Sequence, residues 1–222
     1  MFSLFFPREK GYNERLNGRE PVKQLFREVN AVTARECREM VLRLVAEGRF
    51  EELFPEVTAL RGVEQPPEYH GEGDAYSHTM LAMEAVDDNA DPRVFWGALL
   101  HDIGKSETTV FEGGRWRSVG HAEAGAEMVP SVMERIGLPE LATDVAWLVR
   151  RHLFHFSWNL DHELRLTRNQ RKAMEHPLFP LLLKVCMADA EASHGRSSKG
   201  DKIRLIAEIY EEEYRTLFTF HG

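Results

Sequence analysis

The chain has little cysteine: Cys37 and Cys186 are its only two, so neither a disulfide framework nor a C-x-x-C zinc site can be assembled. It also lacks an excess of positive charge. With 28 Lys and Arg against 36 Asp and Glu the net charge is −8, which argues against neutralising many nucleic-acid phosphates by bulk charge, while a local basic pocket stays compatible with it. Long apolar runs are missing: stretches such as Val94 to Leu100 fall well short of the roughly 18 residues a membrane span needs. Leu4-Phe5-Phe6 runs at once into Pro7-Arg8-Glu9-Lys10, without the h-region and cleavage site of a secretory signal. A cytoplasmic protein without membrane contact is expected. No repeat period and no low-complexity segment emerges either.

What is present is ordinary for a folded chain. Of 222 residues, 43% are hydrophobic and 29% charged, a globular composition sized for one large domain or two small ones. Turn signals divide the chain into helix-length pieces, so the expected fold is all-α with strand content close to nil. Thr33 and Glu36 form a capping box before a face of Cys37, Met40, Val41, Leu44 and Val45, a helix ending at Gly48. Residues 55–73, with Gln65-Pro66-Pro67 and Gly71-x-Gly73, read as an ordered loop. Asp74 caps a helix to about Asp88, and Asp91-Pro92 opens another ending near Gly104. Gly113-Gly114 marks a turn in an irregular excursion. Further helices are expected from Ala122 to Ile136, from Pro139 through His152, after the Thr167/Gln170 capping box, from Pro177 to Ala192 and from Asp201 to Phe218. Residues 1–50 are read as an N-terminal helical extension and 51–222 as the functional domain with its C-terminal helix, the whole forming a single compact unit.

The ten histidines each start as ordinary surface or core residues. The doublet His101-Asp102 is different, because it ends the apolar run Val94 to Leu100, where an unpaired imidazole and carboxylate are costly to bury. A metal compensates both. The plain alternative is that the pair only caps a helix end above Gly104.

His101-Asp102-Ile103-Gly104-Lys105 resembles the signature of the HD superfamily of metal-dependent phosphohydrolases, which is built of helices. The other positions of that family are matched in order by His78 in Tyr76-Ser77-His78-Thr79, His121 in Gly120-His121-Ala122-Glu123, His152, and Asp189 in Met187-Ala188-Asp189-Ala190. Intervals of 23, 20, 31 and 37 residues put these side chains on different helices around one cavity. A narrower resemblance, carried by Glu68-Tyr69-His70-Gly71-Glu72-Gly73-Asp74 before His78-Thr79, is to the HD domain appended to some bacterial tRNA nucleotidyltransferases, over roughly residues 50–195. A nucleotidyl-transferring head is not expected, since the first 50 residues show no Gly-Ser and Asp-x-Asp arrangement. The Gly-Tyr-Pro motif of the cyclic-di-GMP branch and the H-D-x-x-E-D motif of alarmone hydrolases are missing as well.

The resemblance implies that His78, His101, Asp102 and Asp189 bind one ion, with Asp102 bridging to a second held by His121 and His152. Imidazole and carboxylate without thiolate suit one or two divalent transition ions, namely Mn, Fe, Co, Ni or Zn. Such ions acidify water and clamp the oxygens of an in-line phosphoryl displacement, so Asp102 and Lys105 are the catalytic candidates. Lys105 and Arg151 are candidates to bind substrate phosphoryl oxygens, although Lys105 also suits a helix C-terminus as a plain solvated cation. At 100° per residue, at most one of Arg150 and Arg151 is expected to point with His152, the other lying on the surface. His155, one turn beyond His152, is either the alternative ligand or a partner that orients one. His70 and Glu72 are placed either at the mouth of the site or on a surface loop. His162, His176, His194 and His221 are read as non-ligands, and Trp147, Phe154, Phe156 and Trp158 as packing residues.

The implied activity is hydrolysis of a phosphomonoester or phosphodiester, in a nucleotide or a nucleotide-related small molecule. Nucleic-acid binding is expected at most through an RNA end. Two readings from other classes stay open, a di-iron oxygenase with the same ligand order and a non-catalytic module that binds nucleotides or RNA ends.

Overall fold

The computed structural model describes residues 33–158, 165–195 and 198–219. Residues 1–32 of the expected extension, together with His162 and His221, lie outside the described residues. The expected mostly α fold is observed. Helix α1, Ala34–Ala46, starts at the Thr33/Glu36 capping box and buries Cys37, Met40, Val41 and Leu44. Val45, expected on that face, is 41% exposed, because one further step of about 100° turns it away from the core.

Two four-residue helices follow, α2 at Phe50–Leu53 and α3 at Pro55–Thr58. The second occupies the start of the segment read as loop, since Pro55 sits at the first helical position, where a missing N–H costs nothing. Helix α4, Ala75–Ala85, is capped by the Asp74 side chain, which accepts from Ser77 N at 2.8 Å. Helix α5, Pro92–Leu100, is capped by Asp91. Every residue of α5 from Val94 to Leu100 is buried, and α5 packs against α1, α4 and two later helices, α8 at Ala142–Arg151 and α10 at Phe179–Ala192. It is the central helix of the bundle, so its C-terminal end delivers His101 and Asp102 into the interior.

Beyond the turn at 101–104 comes a single helical turn, α6 at Lys105–Thr108, and then an antiparallel hairpin of β1, Thr109–Glu112, and β2, Arg115–Ser118. This corrects the expectation of near-zero strand and of an irregular excursion. Gly113 and Gly114 take φ of 59° and 77°, the two consecutive positive values that close a two-residue hairpin, and Phe111 faces Trp116 across it with ring centroids 5.0 Å apart.

Helix α7, His121–Ile136, runs through Pro130 and ends at Gly137 with φ 83°. A 3-10 turn at Pro139–Leu141 then precedes α8, so the helix expected from Pro139 begins as the tighter form. Helix α9, Arg168–Met174, uses the second capping box, with Thr167 N donating to Gln170 Oε1 at 2.7 Å. Helix α10 begins at Phe179, two residues after the expected Pro177, and α11 spans Lys199–Thr219.

Gly104 ties these parts together. A Cβ at that position would lie 2.2 Å from the His121 carbonyl oxygen and 2.5 Å from Gly125 N, so the 101–104 turn rests backbone to backbone on the first turn of α7. Gly104→Ala is therefore expected to destabilise the fold by about 1–3 kcal/mol and to push His121 away from Asp102. Urea unfolding checks this; a midpoint within error of the parent would contradict the close approach.

Candidate metal centre

The six residues matched to ligand positions converge. His78 comes from α4, His101 and Asp102 from the end of α5, His121 from the start of α7, His152 from the end of α8 and Asp189 from α10. Five are at most 2% exposed and His121 is 8% exposed. His78 Nε2 lies 3.0 Å from Asp189 Oδ1, and His101 Nε2 lies 3.8 Å from the same oxygen. On the other side, His121 Nε2 and His152 Nε2 stand 3.3 and 3.8 Å from Asp102 Oδ1. Asp102 Oδ2 faces His101 Nε2 at 3.1 Å and His78 Nε2 at 3.9 Å. One carboxylate thus presents its two oxygens to two histidine groups, His78/His101/Asp189 and Asp102/His121/His152.

The orientation of the rings follows from what lies behind them. The Nδ1 atoms of His101, His121 and His152 are 2.7, 2.6 and 2.7 Å from the carbonyl oxygens of Ala98, Ser118 and Val149. A carbonyl only accepts, so each Nδ1 carries a hydrogen and each ring turns its Nε2 inward. His121 Nε2 and His152 Nε2 then confront each other at 3.2 Å, and buried His101 Nε2 makes no hydrogen bond. Nitrogens that face one another and carboxylate oxygens form a donor set that a shared cation would satisfy. Burial, reinforced by the neighbouring charges of His101 and His121, pushes His152 well below the usual imidazole range. A neutral, inward-facing Nε2 is the form that binds a metal. The residues present therefore fit one or two divalent ions.

His78 is held differently. Its Nδ1 donates to Glu72 Oε1 at 2.7 Å, and Nε2 meets Asp189. Burial works against its charge, but the bonds to Asp189 and Glu72 outweigh burial and raise it to about 9. Glu72 Oε1 also accepts from His70 Nδ1 at 2.8 Å, and its other oxygen accepts from the backbone N of His194 at 2.9 Å. Burial would raise this carboxyl, yet the hydrogen bonds from His78, His194 and His70 bring it down to about 2. Of the two placements considered for His70 and Glu72, the side chain of Glu72 is 1% exposed and belongs to the wall of the centre.

Both central carboxylates are ionised despite complete burial. Burial opposes the charge of Asp102, and the charges of His101 and Lys105 hold the carboxyl well below its ordinary range. Lys105 Nζ lies 2.7 Å from Asp102 Oδ2 and donates to Gln65 Oε1 at 2.7 Å. For Asp189 burial is likewise overcome, first by the charge of Lys199, whose ammonium pairs with Oδ2, and then by the bond from His78. No motif spacing marks Lys199 in the sequence, and only the packing of α11 on α10 brings it to Asp189.

His155 is buried but belongs to no ligand group among the described residues, and burial lowers it to about 4. His152, not His155, stands with Asp102 and His121. Arg150 and Arg151 are both exposed and both line one groove, where at most one was expected to point with His152. Long side chains 100° apart reach the same groove. His176 stacks on Trp147 with ring centroids 3.9 Å apart. Among the described residues no helix is long and apolar enough to cross a membrane.

The HD domain family matches this chain over residues 76–193, which includes all six converging residues. Curated relatives include the multifunctional CCA protein of Halorhodospira halophila, 40% identical over 121 residues, covering 53% of this chain and 28% of that protein. The multifunctional CCA protein of Psychromonas ingrahamii is 32% identical across 66% of this chain and 37% of its own length. That of Alkalilimnicola ehrlichii is 33% identical across 76% and 41%. The chain thus spans less than half the length of these relatives.

Removal of the carboxylate behind His78 should loosen the centre without removing a ligand. Glu72→Gln is expected to lower affinity for Mn2+ or Zn2+ by about 10- to 100-fold, read by isothermal titration calorimetry. Parent-like affinity would show that Glu72 does not orient His78.

Proposed function

The chain belongs to the HD domain family, and from that membership we propose that it is a metal-dependent phosphohydrolase acting on a phosphomonoester or phosphodiester of a nucleotide or nucleotide-related small molecule. The observation that carries this reading is the pair of ligand groups served by the two oxygens of Asp102. His78, His101, Asp102 and Asp189 would hold one ion, and Asp102, His121 and His152 a second. The donor set suits Mn, Fe, Co, Ni or Zn. Ions bound there supply Lewis acidity toward phosphoryl oxygens and acidify water toward neutral pH.

The chain's own side chains supply the rest. The carbonyls behind His101, His121 and His152 fix the ring tautomers, so no reorganisation is needed when a cation enters. Lys105 and Lys199 stand at opposite carboxylates, Asp102 and Asp189, and place two ammonium groups beside the centre. Lys105, with 12% of its side chain exposed, is the one we assign to charge on the phosphoryl group, while its bond to Gln65 limits its wandering. Arg151 adds a further cation on the groove beside His152. No protein nucleophile is required.

Turnover of p-nitrophenyl phosphate, bis(p-nitrophenyl) phosphate and 2′,3′-cyclic and linear nucleotides should be screened after loading with each metal, with and without oxygen. Hydrolysis independent of oxygen is expected, together with its loss in Asp102→Ala. Lys105→Ala is expected to lose about 100-fold in kcat while keeping its metal. Unchanged turnover in Asp102→Ala would overturn the assigned centre, and stoichiometric oxygen consumption without hydrolysis would transfer the site to oxygenase chemistry.

A further inference from the structure

Beside the metal centre lies a concavity of which the hydrolytic reading uses only Arg151. It has a volume of about 880 Å³. Its wall is continuous with the centre in the chain: Ala122 and Glu123 follow His121, and Arg151 and Leu153 flank His152. The first turn of α7 and the end of α8 therefore carry ligand residues on one side and groove residues on the other.

Two properties of the lining point to a ligand. The first is charge. Arg150, Arg151 and Lys172 are exposed and line the groove, and none of them is ion-paired among the described residues. Elsewhere on this surface arginines are commonly paired, as Arg35 is with Glu39, Arg43 with Glu47 and Arg171 with Glu213. In a chain of net charge −8, three cations without an ion pair around one cavity, against the single carboxylate of Glu123 among the described residues, make a local anion-attracting surface. The second property is the aromatic lining. Trp147 lies flat against His176, with the rings 6° from parallel, and Phe154 packs edge-on to Trp158 at 5.0 Å. Trp147 and Phe154 are only partly buried, so planar surface remains for another ring.

We propose that this groove binds a single-stranded polynucleotide through its phosphates and bases, leading one end of the strand to the metal centre. The inference rests on the phosphohydrolase reading and extends its substrate from a nucleotide-sized phosphate ester to the end of a polynucleotide carrying the same ester. A strand is favoured over a single nucleotide because the centre itself accommodates the phosphate to be cleaved. The three groove cations are additional to Lys105 and Lys199, so they match further phosphates of the same ligand. Planar side chains interleaved with cations along a groove are the arrangement by which sequence-tolerant single-strand binding works. The overall acidity of the chain then confines such binding to this strip.

The test is fluorescence anisotropy with the full chain and a 5′-labelled ten-nucleotide oligoribonucleotide whose ends carry no phosphate. With three phosphate contacts the log–log salt slope is expected near −2, so affinity falls about 20-fold between 50 and 200 mM salt. In the double variant Arg150→Ala/Lys172→Ala the slope should shrink to about −0.7, with affinity down about tenfold at low salt. Metal content and melting temperature should stay at parent values. Trp147→Phe preserves a stacking ring and should keep most of the affinity, whereas Trp147→Leu should not. Parent-like binding and slope in the double variant would overturn the proposal. Displacement of the strand by AMP at equal nucleotide concentration would overturn it as well, and would assign the groove to a mononucleotide. Binding is read without turnover, so a chain that binds the strand yet hydrolyses no ester contradicts the phosphohydrolase reading and leaves the groove standing.

Discussion

Asp102 and Asp189 are ionised carboxylates in the middle of a packed helical core, and the rest of the structure is arranged around the cost of putting them there. A buried charge without compensation costs many kcal/mol, far more than a small domain has to spare. Compensation is layered. Lys105 and Lys199 pair with one oxygen of each carboxylate, and imidazole nitrogens crowd the remaining oxygens. Even so, His101 Nε2 stays without a hydrogen bond, and two Nε2 atoms face each other at 3.2 Å. Protein groups alone do not satisfy the centre, and that remaining deficit has the shape and donor chemistry of a cation site.

The bundle can be understood as the means of assembling that centre. The buried α5 brings His101 and Asp102 to the interior, and the Gly104 contact seats them against the turn that carries His121. The hairpin ends at Ser118, whose carbonyl fixes the His121 ring, so a small β element has a direct part in the site. On the opposite side, Gly71 and Gly195 let the loops around 66–73 and 193–195 meet backbone to backbone. There Glu72 reaches both His78 and the His194 N–H. A Cβ on either glycine would come within 2.6 Å of its neighbour's backbone, which explains two glycines in segments with no other shared feature.

Much of this was legible in the sequence, and the boundary of what was legible has a physical basis. Helix starts were visible because capping is local: Thr33 with Glu36, Asp74, Asp91-Pro92 and Thr167 with Gln170 act within one turn. The ligand order was visible because a doublet and four single positions match a family pattern. What escaped was made by contacts distant in sequence. Glu72 and His194 are 122 residues apart, and Lys199 reaches Asp189 only through the packing of α11 on α10. The hairpin was missed for another reason. Its exposed strands, with Val110 and Phe111 more than half exposed, carry no buried-face alternation to betray them, and the adjacent glycines alone signal a turn rather than a sheet. Arg151 is legible in the sequence as a substrate-binding candidate, but nothing there marks Lys172, and only the folded arrangement shows that Arg150, Arg151 and Lys172 share one cavity.

The two oxygens of Asp102 are placed to join two cation sites. Anomalous diffraction from crystals grown with Mn2+ tests it most directly. Two peaks per chain are expected, one among His78, His101 and Asp189 and one between His121 and His152, with an oxygen of Asp102 directed at each. A Mn2+-loaded crystal with no anomalous peak at either position, and with His101 Nε2 and Asp102 satisfied by ordered water alone, would contradict it.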